Sequence, residues 1–502
     1  VARYAGAAAR VGRRAAILPL ILAALWLARD VPHAAGLAEA SRCTDLTKLH
    51  LPLASVDDVQ VVDAGRFEAS GRVSVADATL FQATPAFCRV SVTARPVSES
   101  RIGIEVWLPL NGWNQRFQGV GNRGWGGSIS YALLASAVRD GYVAAATDTG
   151  HRGPGARFAV GHPEAIVDSG DRAVHVMTEH AKAIMSAYYD RPPQYAYWNG
   201  CSLGGRQGLA EAQRHPADYD GIVVGDVAND VTHIYAARVA MAQRIRQGSA
   251  TPIPPEKYPI VHRAAVDACD AADGSRDGLI ADPLSCRVDP AVAACPAGAT
   301  DTRACLTPGE VAAARVLYDD VVHPQTGALI APGLERGSEL GWSAVAGPQP
   351  EGNAVEMFRF AVFNDPTWSW EAFDLARDTK AAEDALAPAL DAVNPDLRPF
   401  FARGGRLLMY HGWADPQTPP RNSIRYVQAV RAASGSAAAN ALRLFMVPGM
   451  GHCEGGDGPD QFDAMTPLVA WRERGTVPSA IEAVRVRAGQ IDRRLSLHPF
   501  VF

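Results

Sequence analysis

The stretch that most constrains this chain is Trp198-Asn199-Gly200-Cys201-Ser202-Leu203-Gly204-Gly205-Arg206-Gln207-Gly208. Residues 195–198 read as a short buried strand, and residues 203–215 read as a helix with Leu209, Ala212 and Gln213 on successive turns. Between them, Gly200 to Gly204 fits the G-x-S-x-G strand–turn–helix elbow. So sharp a turn leaves almost no room for side chains where helix crosses strand, which accounts for Gly200, Gly204 and Gly205 together. A serine at that position sits at a helix start, where backbone N–H groups and the helix dipole face any developing negative charge. A glycine-rich turn with an ordinary serine is the competing reading; the strand before and the helix after weigh against it.

The surrounding pattern is one of strands alternating with helices. Residues 101–110 alternate Ile102, Ile104, Val106 and Leu108 and read as a half-buried strand; residues 141–147 and 221–225 read as short apolar strands, and residues 171–189 as a helix. This rhythm implies an α/β fold with a parallel sheet. It breaks from about Val227 to Pro399, where prolines and four cysteines accumulate without a strong strand run, and it resumes with strands at 406–410 and 442–447 and helices at 423–433 and 461–471. The expected organisation is an α/β domain formed by residues 41–227 and 401–502, with residues 228–400 as an inserted domain. The glycine-rich run 119–127 matches G-x-G-x-x-G by number, but no acidic residue follows at the place a dinucleotide site needs. It reads better as a backbone donor loop facing the elbow.

A serine elbow needs a base and an orienting acid, in the chain order Ser, Asp or Glu, His. Asp415 follows the strand at 406–410, and His452 follows the strand at 442–447 in a loop flanked by glycine. His411, His215 and Asp457 are competitors. In the favoured scheme His452 takes the Ser202 proton, Asp415 fixes the imidazole, and water hydrolyses an acyl-enzyme. Cys201 precedes Ser202 and Cys453 follows His452, so contact between serine and histidine would bring the two sulfurs within bridging distance.

Arg10, Arg13 and Arg14 precede an apolar run at 15–28, and Ala38-Glu39-Ala40 offers a small-residue cleavage site. Residues 1–40 therefore read as a secretory signal peptide, implying a secreted or periplasmic protein with no membrane attachment after its removal. Eight cysteines with no C-x-x-C pair then favour disulfides over zinc. A net charge of −5 gives no support for nucleic-acid binding.

The Gly-Cys-Ser-x-Gly-Gly-Arg-Gln-Gly segment, the His-Gly-x-x-Asp loop at 411–415 and Gly451-His452-Cys453 resemble the tannase and feruloyl esterase family, which includes mono(2-hydroxyethyl) terephthalate hydrolases. Asp148-Thr149-Gly150-His151, Gly161-His162-Pro163 and Tyr219-Asp220-Gly221-Ile222-Val223 match as well. Asp226-Val227 and Arg123 depart from the family pattern near the expected active face. The resemblance implies an α/β-hydrolase fold, with oxyanion donors from the backbone of Leu203 and of a glycine in the 119–127 loop, here Gly121. It also implies the disulfides Cys201–Cys453, Cys43–Cys88, Cys269–Cys286 and Cys295–Cys305.

Asp270, Asp273 and Asp277 lie within a glycine-containing loop whose carboxylates would repel one another without a cation, although Ala281 stands where an EF-hand would carry glutamate. A solvated acidic turn is the alternative. By resemblance the loop is a structural calcium site using Asp270, Asp273 and Asp277 with the carbonyls of Ser275 and Leu279. In the lid, Arg359 and Phe363 are the expected substrate contacts, against an equally weighted reading as an amphipathic core helix. The function implied is hydrolysis of small esters of phenolic acids, with a terephthalate monoesterase as the near alternative and a non-catalytic binding protein as the distant one.

Overall fold

The computed structural model describes residues 39–69, 73–347 and 349–502; the signal segment read at residues 1–40 lies almost wholly outside them. Its centre is a nine-stranded sheet: β1 (Ala54–Val62), β2 (Phe87–Ala94), β3 (Ile102–Pro109), β4 (Arg116–Val120), β5 (Val143–Thr147), β6 (Tyr195–Cys201), β7 (Gly221–Gly225), β8 (Arg406–Gly412) and β9 (Leu442–Val447). The spatial order is β1-β2-β3-β5-β4-β6-β7-β8-β9. The first three strands and the β3–β5 pair are antiparallel, and every pair from β5 through β9 is parallel. The antiparallel extension by β1 and β2 is not apparent in the sequence pattern.

Both sheet faces are covered, so the parallel strands read as continuous apolar runs. Successive residues of β6 illustrate the two-residue period: Tyr197 packs with Trp107, Leu408, Phe445 and Trp471 on one face, and Trp198 packs with Val106, Leu209 and Ile222 on the other. The reading of residues 101–110 as a half-buried strand is corrected here. Glu105 and Trp107 on its other face are buried too, because Phe67 and Phe87 pack against Trp107 while Arg89 forms a charged pair with Glu105. Likewise residues 461–471 are not one helix: Gln461–Phe462 adds a strand to the hairpin of β10 (Ile481–Arg487) and β11 (Gln490–Leu497), and the helix runs Met465–Arg474.

Between β7 and β8 the chain builds a mainly helical insertion around α2 (Val231–Gln247) and α3 (Leu375–Leu390), with its own apolar core of Met241, Leu317, Trp342, Phe358 and Leu386. It also contains a small antiparallel ladder, Val321–Val322 with Leu329–Ala331. Buried polar groups tie it to the hydrolase core. Arg206 on α1 (Leu203–Arg214) donates to the carbonyls of Ser169, Gly170 and Leu390, and Arg238 on α2 donates to those of Pro416 and Gln417. Asp391 accepts the N–H groups of Val231 and Thr232 at the start of α2.

The four disulfides are Cys43–Cys88, Cys201–Cys453, Cys269–Cys286 and Cys295–Cys305, and the described residues contain no free cysteine. Cys201–Cys453 spans 252 residues, whereas Cys295–Cys305 spans 10. Because the entropy removed from the unfolded chain grows with loop length, losing the long bridge should cost about 2–5 kcal/mol and losing the short one measurably less. Urea unfolding of the double variants C201A/C453A and C295A/C305A checks this; equal losses would contradict the loop-length account.

Candidate active site

The parallel strands β6, β8 and β9 present their C-terminal ends on one edge of the sheet, where ligands bind in open α/β folds. Ser202 follows β6, Asp415 lies three residues beyond β8, and His452 lies five beyond β9. Ser202 adopts φ +62° and ψ −120°, a conformation that costs a non-glycine residue of order 1–3 kcal/mol and persists only where the surroundings enforce it. Its N–H donates to the Gly225 carbonyl at 2.9 Å, and its own carbonyl accepts from Arg206 N–H at 3.0 Å. The serine side chain is thereby lifted off the strand end.

The three side chains form one hydrogen-bonded line. Ser202 Oγ lies 2.8 Å from His452 Nε2, and His452 Nδ1 lies 2.8 Å from Asp415 Oδ2. Asp415 is fully buried, and its carboxylate also accepts from the N–H of Gln417 at 2.7 Å and of Thr418 at 3.1 Å and from the Thr418 hydroxyl at 2.5 Å. Burial alone would raise the Asp415 pKa, but the His452 charge and hydrogen bonds from His411 and His452 outweigh it and hold the carboxyl ionised. Burial would depress His452; the facing Asp415 outweighs this and raises it to about 9.

Of the competitors, His411 is fully buried: its Nδ1 meets the Ser423 hydroxyl at 2.7 Å and its Nε2 donates to the Thr418 carbonyl at 2.8 Å, so it braces the Asp415 loop. His215 stacks on His175, and Asp457 pairs with His262 and Arg487. Asp226, a departure noticed in the sequence, accepts Gly412 N–H at 2.9 Å beneath the same loop, and burial pushes its pKa up to about 7.

The expected donor role of Gly121 is corrected by the structure. Its N–H donates to the Asn199 carbonyl at 3.0 Å, and a Cβ there would run into the Gly204 backbone. Gly121 is glycine so that its loop can press against the elbow. Asn122 N–H is also engaged, in a reciprocal pair with the Gln207 side chain. Next to Ser202, the N–H groups of Leu203, Arg123 and Gly124 have no acceptor among the described residues, and all three residues line the cavity beside Ser202. The Asn122–Gln207 pair was missed in the sequence, because two amides 85 residues apart carry no local signal.

That cavity measures about 310 Å³ and is walled from the insertion by Ala228, Val231, Ile234, Tyr235, Glu351 and Asn353. A second cavity of about 240 Å³, lined by Leu340, Ala344, Ala414 and Pro416, shares Gln417, His452 and Glu454 with the first. A larger polar cleft of about 850 Å³ reaches Cys453 but not Ser202 or His452. Arg359 and Phe363 line none of these, which corrects the expected substrate contacts. The segment Met357–Val362 is a wide π-helical turn whose Met357, Phe358 and Phe360 are buried, so four-residue spacing does not place position 363 beside 359. Arg359 Nε donates to the Trp368 carbonyl at 3.0 Å, and Phe363 packs on Phe358 and Trp368.

In the acidic loop the backbone wraps around the carboxylates. Asp270 accepts the N–H of Asp277 and Gly278, Asp273 that of Ser275, and Asp277 that of Leu279. One oxygen of each carboxylate is left without a hydrogen bond among the described residues, so the donor set has the all-oxygen chemistry that calcium takes. The three are nevertheless not among the groups whose side-chain donors converge within 4.8 Å. His175, His215 and Asp218 do converge, but the two imidazoles stack 3.9 Å apart with planes 10° apart, so their in-plane lone pairs run side by side. The other two convergent groups contain either the disulfide sulfurs of Cys201 and Cys453 or His411, whose nitrogens are already engaged.

With this geometry in place, comparison with known proteins is decisive. The family model for tannase and feruloyl esterase matches residues 88–499. The chain belongs to the tannase and feruloyl esterase family. It is 36% identical to an uncharacterized esterase of Xanthomonas campestris pv. campestris, over 89% of this chain and 84% of the relative. It is 28% identical to feruloyl esterase B of Aspergillus niger, over 94% and 93% respectively. The crystal structure of feruloyl esterase B from Aspergillus oryzae superposes with a TM-score of 0.83 at 27% identity, covering 92% of this chain and 96% of that one. Tannin acyl hydrolase from Aspergillus niger shares the fold, with a TM-score of 0.75 at 22% identity over 92% of each chain. The protein is accordingly a carboxylic ester hydrolase of the tannase and feruloyl esterase type with an α/β-hydrolase fold.

A neutral imidazole is the form that can accept a serine proton, so activity should be lost as pH falls through the raised His452 pKa, above the ordinary 6.5. Replacing Asp415 by asparagine removes the charge that sustains the imidazolium. D415N should move the acid limb of kcat/KM to lower pH and reduce kcat by about a thousandfold to ten-thousandfold. A pH–rate profile of both proteins measures the two effects together.

Proposed function

We propose that Ser202, His452 and Asp415 are the catalytic triad of a secreted or periplasmic esterase acting on small esters of phenolic acids. The observation that carries this reading is the unbroken Ser202–His452–Asp415 line, two contacts of 2.8 Å ending on a serine held in an elbow conformation. His452 Nε2 takes the Ser202 proton as Oγ attacks the ester carbonyl. The resulting oxyanion is received by the N–H of Leu203 and those of the Arg123–Gly124 turn. His452 returns the proton to the leaving alcohol, and water then repeats the sequence in reverse on the acyl-enzyme. The cavity holding Ser202 and the free N–H groups takes the acyl part, and the cavity beyond His452 takes the alcohol.

The feruloyl esterases among the relatives support a phenolic acyl group. Four disulfides support export into an oxidising compartment, and no helix among the described residues is long and apolar enough to cross a membrane. The acidic loop would hold a structural calcium ion through Asp270, Asp273 and Asp277 with carbonyls of Ser275 and Leu279; the ion would offset their mutual repulsion and brace the insertion.

Purified protein should hydrolyse at least one of methyl ferulate, methyl gallate and mono(2-hydroxyethyl) terephthalate, and S202A should lose about a thousandfold or more in kcat/KM. Wild-type protein should also label with a fluorophosphonate. Absence of both labelling and turnover in folded protein would move the function to binding. Separately, a chelator should lower the melting temperature by several degrees, with calcium restoring it and magnesium failing to do so; a melt unaffected by chelation would remove the ion from the account.

A further inference from the structure

Among the groups facing Ser202, one carboxylate has no task in the proton transfers. Glu351 belongs to the insertion and lines the same cavity as Ser202, Leu203 and His452. Its Oε1 accepts from the Asn353 amide at 3.3 Å, while its Oε2 is buried with no hydrogen-bond partner. A buried acceptor left unmade costs of order 1–3 kcal/mol, so a group that supplies a donor there gains what the empty protein forgoes. Burial raises its pKa above the usual range, and the field of buried Arg238 opposes that shift.

The two cations lining the cavity, Arg123 and Arg206, are engaged; Arg238 keeps an unpaired Nε but does not line the cavity. Arg206 and Arg238 donate to backbone carbonyls, and Arg123 pairs with Glu454 at 2.9 Å at the exposed rim. A second carboxylate on a substrate would therefore meet Glu351 with no unpaired cation lining the cavity. Val231, Ile234 and Tyr235 give the cavity an apolar side that fits the body of an aromatic ring, and Asn353, Gln417 and Thr418 add polar groups.

We propose that Glu351 is the specificity-determining residue of the acyl cavity, accepting a hydrogen bond from a ring hydroxyl and excluding acyl groups that carry a second carboxylate. This rests on the assignment of that cavity to the acyl group. The selected class is hydroxylated aromatic acyl esters, and the rejected class is monoesters of aromatic dicarboxylic acids.

Binding to S202A, which cannot turn the ligands over, tests the proposal apart from catalysis. Calorimetric titration with methyl 4-hydroxycinnamate, methyl cinnamate and monomethyl terephthalate should show the first bound about tenfold to a hundredfold more tightly than the second. Adding Glu351→Leu should abolish that ratio while leaving methyl cinnamate within about twofold of its parent affinity. Glu351→Gln, which keeps an acceptor but loses the charge, should retain most of the ratio and improve monomethyl terephthalate binding about tenfold. Equal binding of the first two ligands by S202A, or a ratio unmoved by Glu351→Leu, overturns the proposal. If the binding pattern holds but wild-type protein cleaves none of the esters, the catalytic reading fails and the recognition stands.

Discussion

The site depends on a backbone conformation that its residue would not choose. Ser202 has a positive φ, and it is kept there because the elbow is hemmed in on three sides: Gly225 holds its N–H, α1 springs from its carbonyl, and the Gly121 loop presses on Gly204. The strain has a geometric return. It turns the serine away from the strand and leaves the Leu203 N–H unpaired at the start of a helix, so the proposed nucleophile and donor come from adjacent residues of one rigid turn. The neighbouring disulfide fixes the distance from this turn to the histidine loop, with Cα atoms of Cys201 and Cys453 6.0 Å apart.

What was legible in the sequence is what local sterics and strand order dictate. The elbow announces itself because three glycines are needed where two elements cross, and Asp415 and His452 follow from their places at strand ends. What was not legible depends on contacts between distant segments. Gly121 looked like a donor because it is a glycine in a flexible loop; whether its N–H is free depends on the Asn199 carbonyl across the sheet. Arg359 and Phe363 looked like a substrate wall because helical spacing was assumed, and a π-turn breaks that spacing. Glu351 carried no signal at all, since an isolated glutamate between proline and glycine reads as surface loop. The N-terminal strands and the C-terminal hairpin are hard to assign from the sequence because their pairing is fixed only in the fold, although residues 87–94 do alternate, with Val90, Val92 and Ala94 on the buried side.

The division of labour between core and insertion follows from these placements. The proposed triad sits on residues whose positions are set by the sheet, whereas the walls around the proposed acyl group come largely from α2 and the Glu351 segment. Asp415 lies at the seam. Its loop is braced from below by His411 and Asp226, and from the insertion side by Arg238, so the insertion bears directly on the residue proposed to orient the histidine.

The manner in which the insertion is fastened has a consequence for how such a protein can diversify. Arg206 and Arg238 grip main-chain carbonyls instead of side chains. A carbonyl is present whatever residue occupies the position, so no point substitution on the gripped segments can remove the partner itself. The grip does not titrate over ordinary pH, because a guanidinium stays charged and a peptide carbonyl has no proton to lose. The insertion is thus held through main-chain acceptors, while Val231, Ile234 and Glu351, which it lends to the proposed acyl cavity, take no part in the grip.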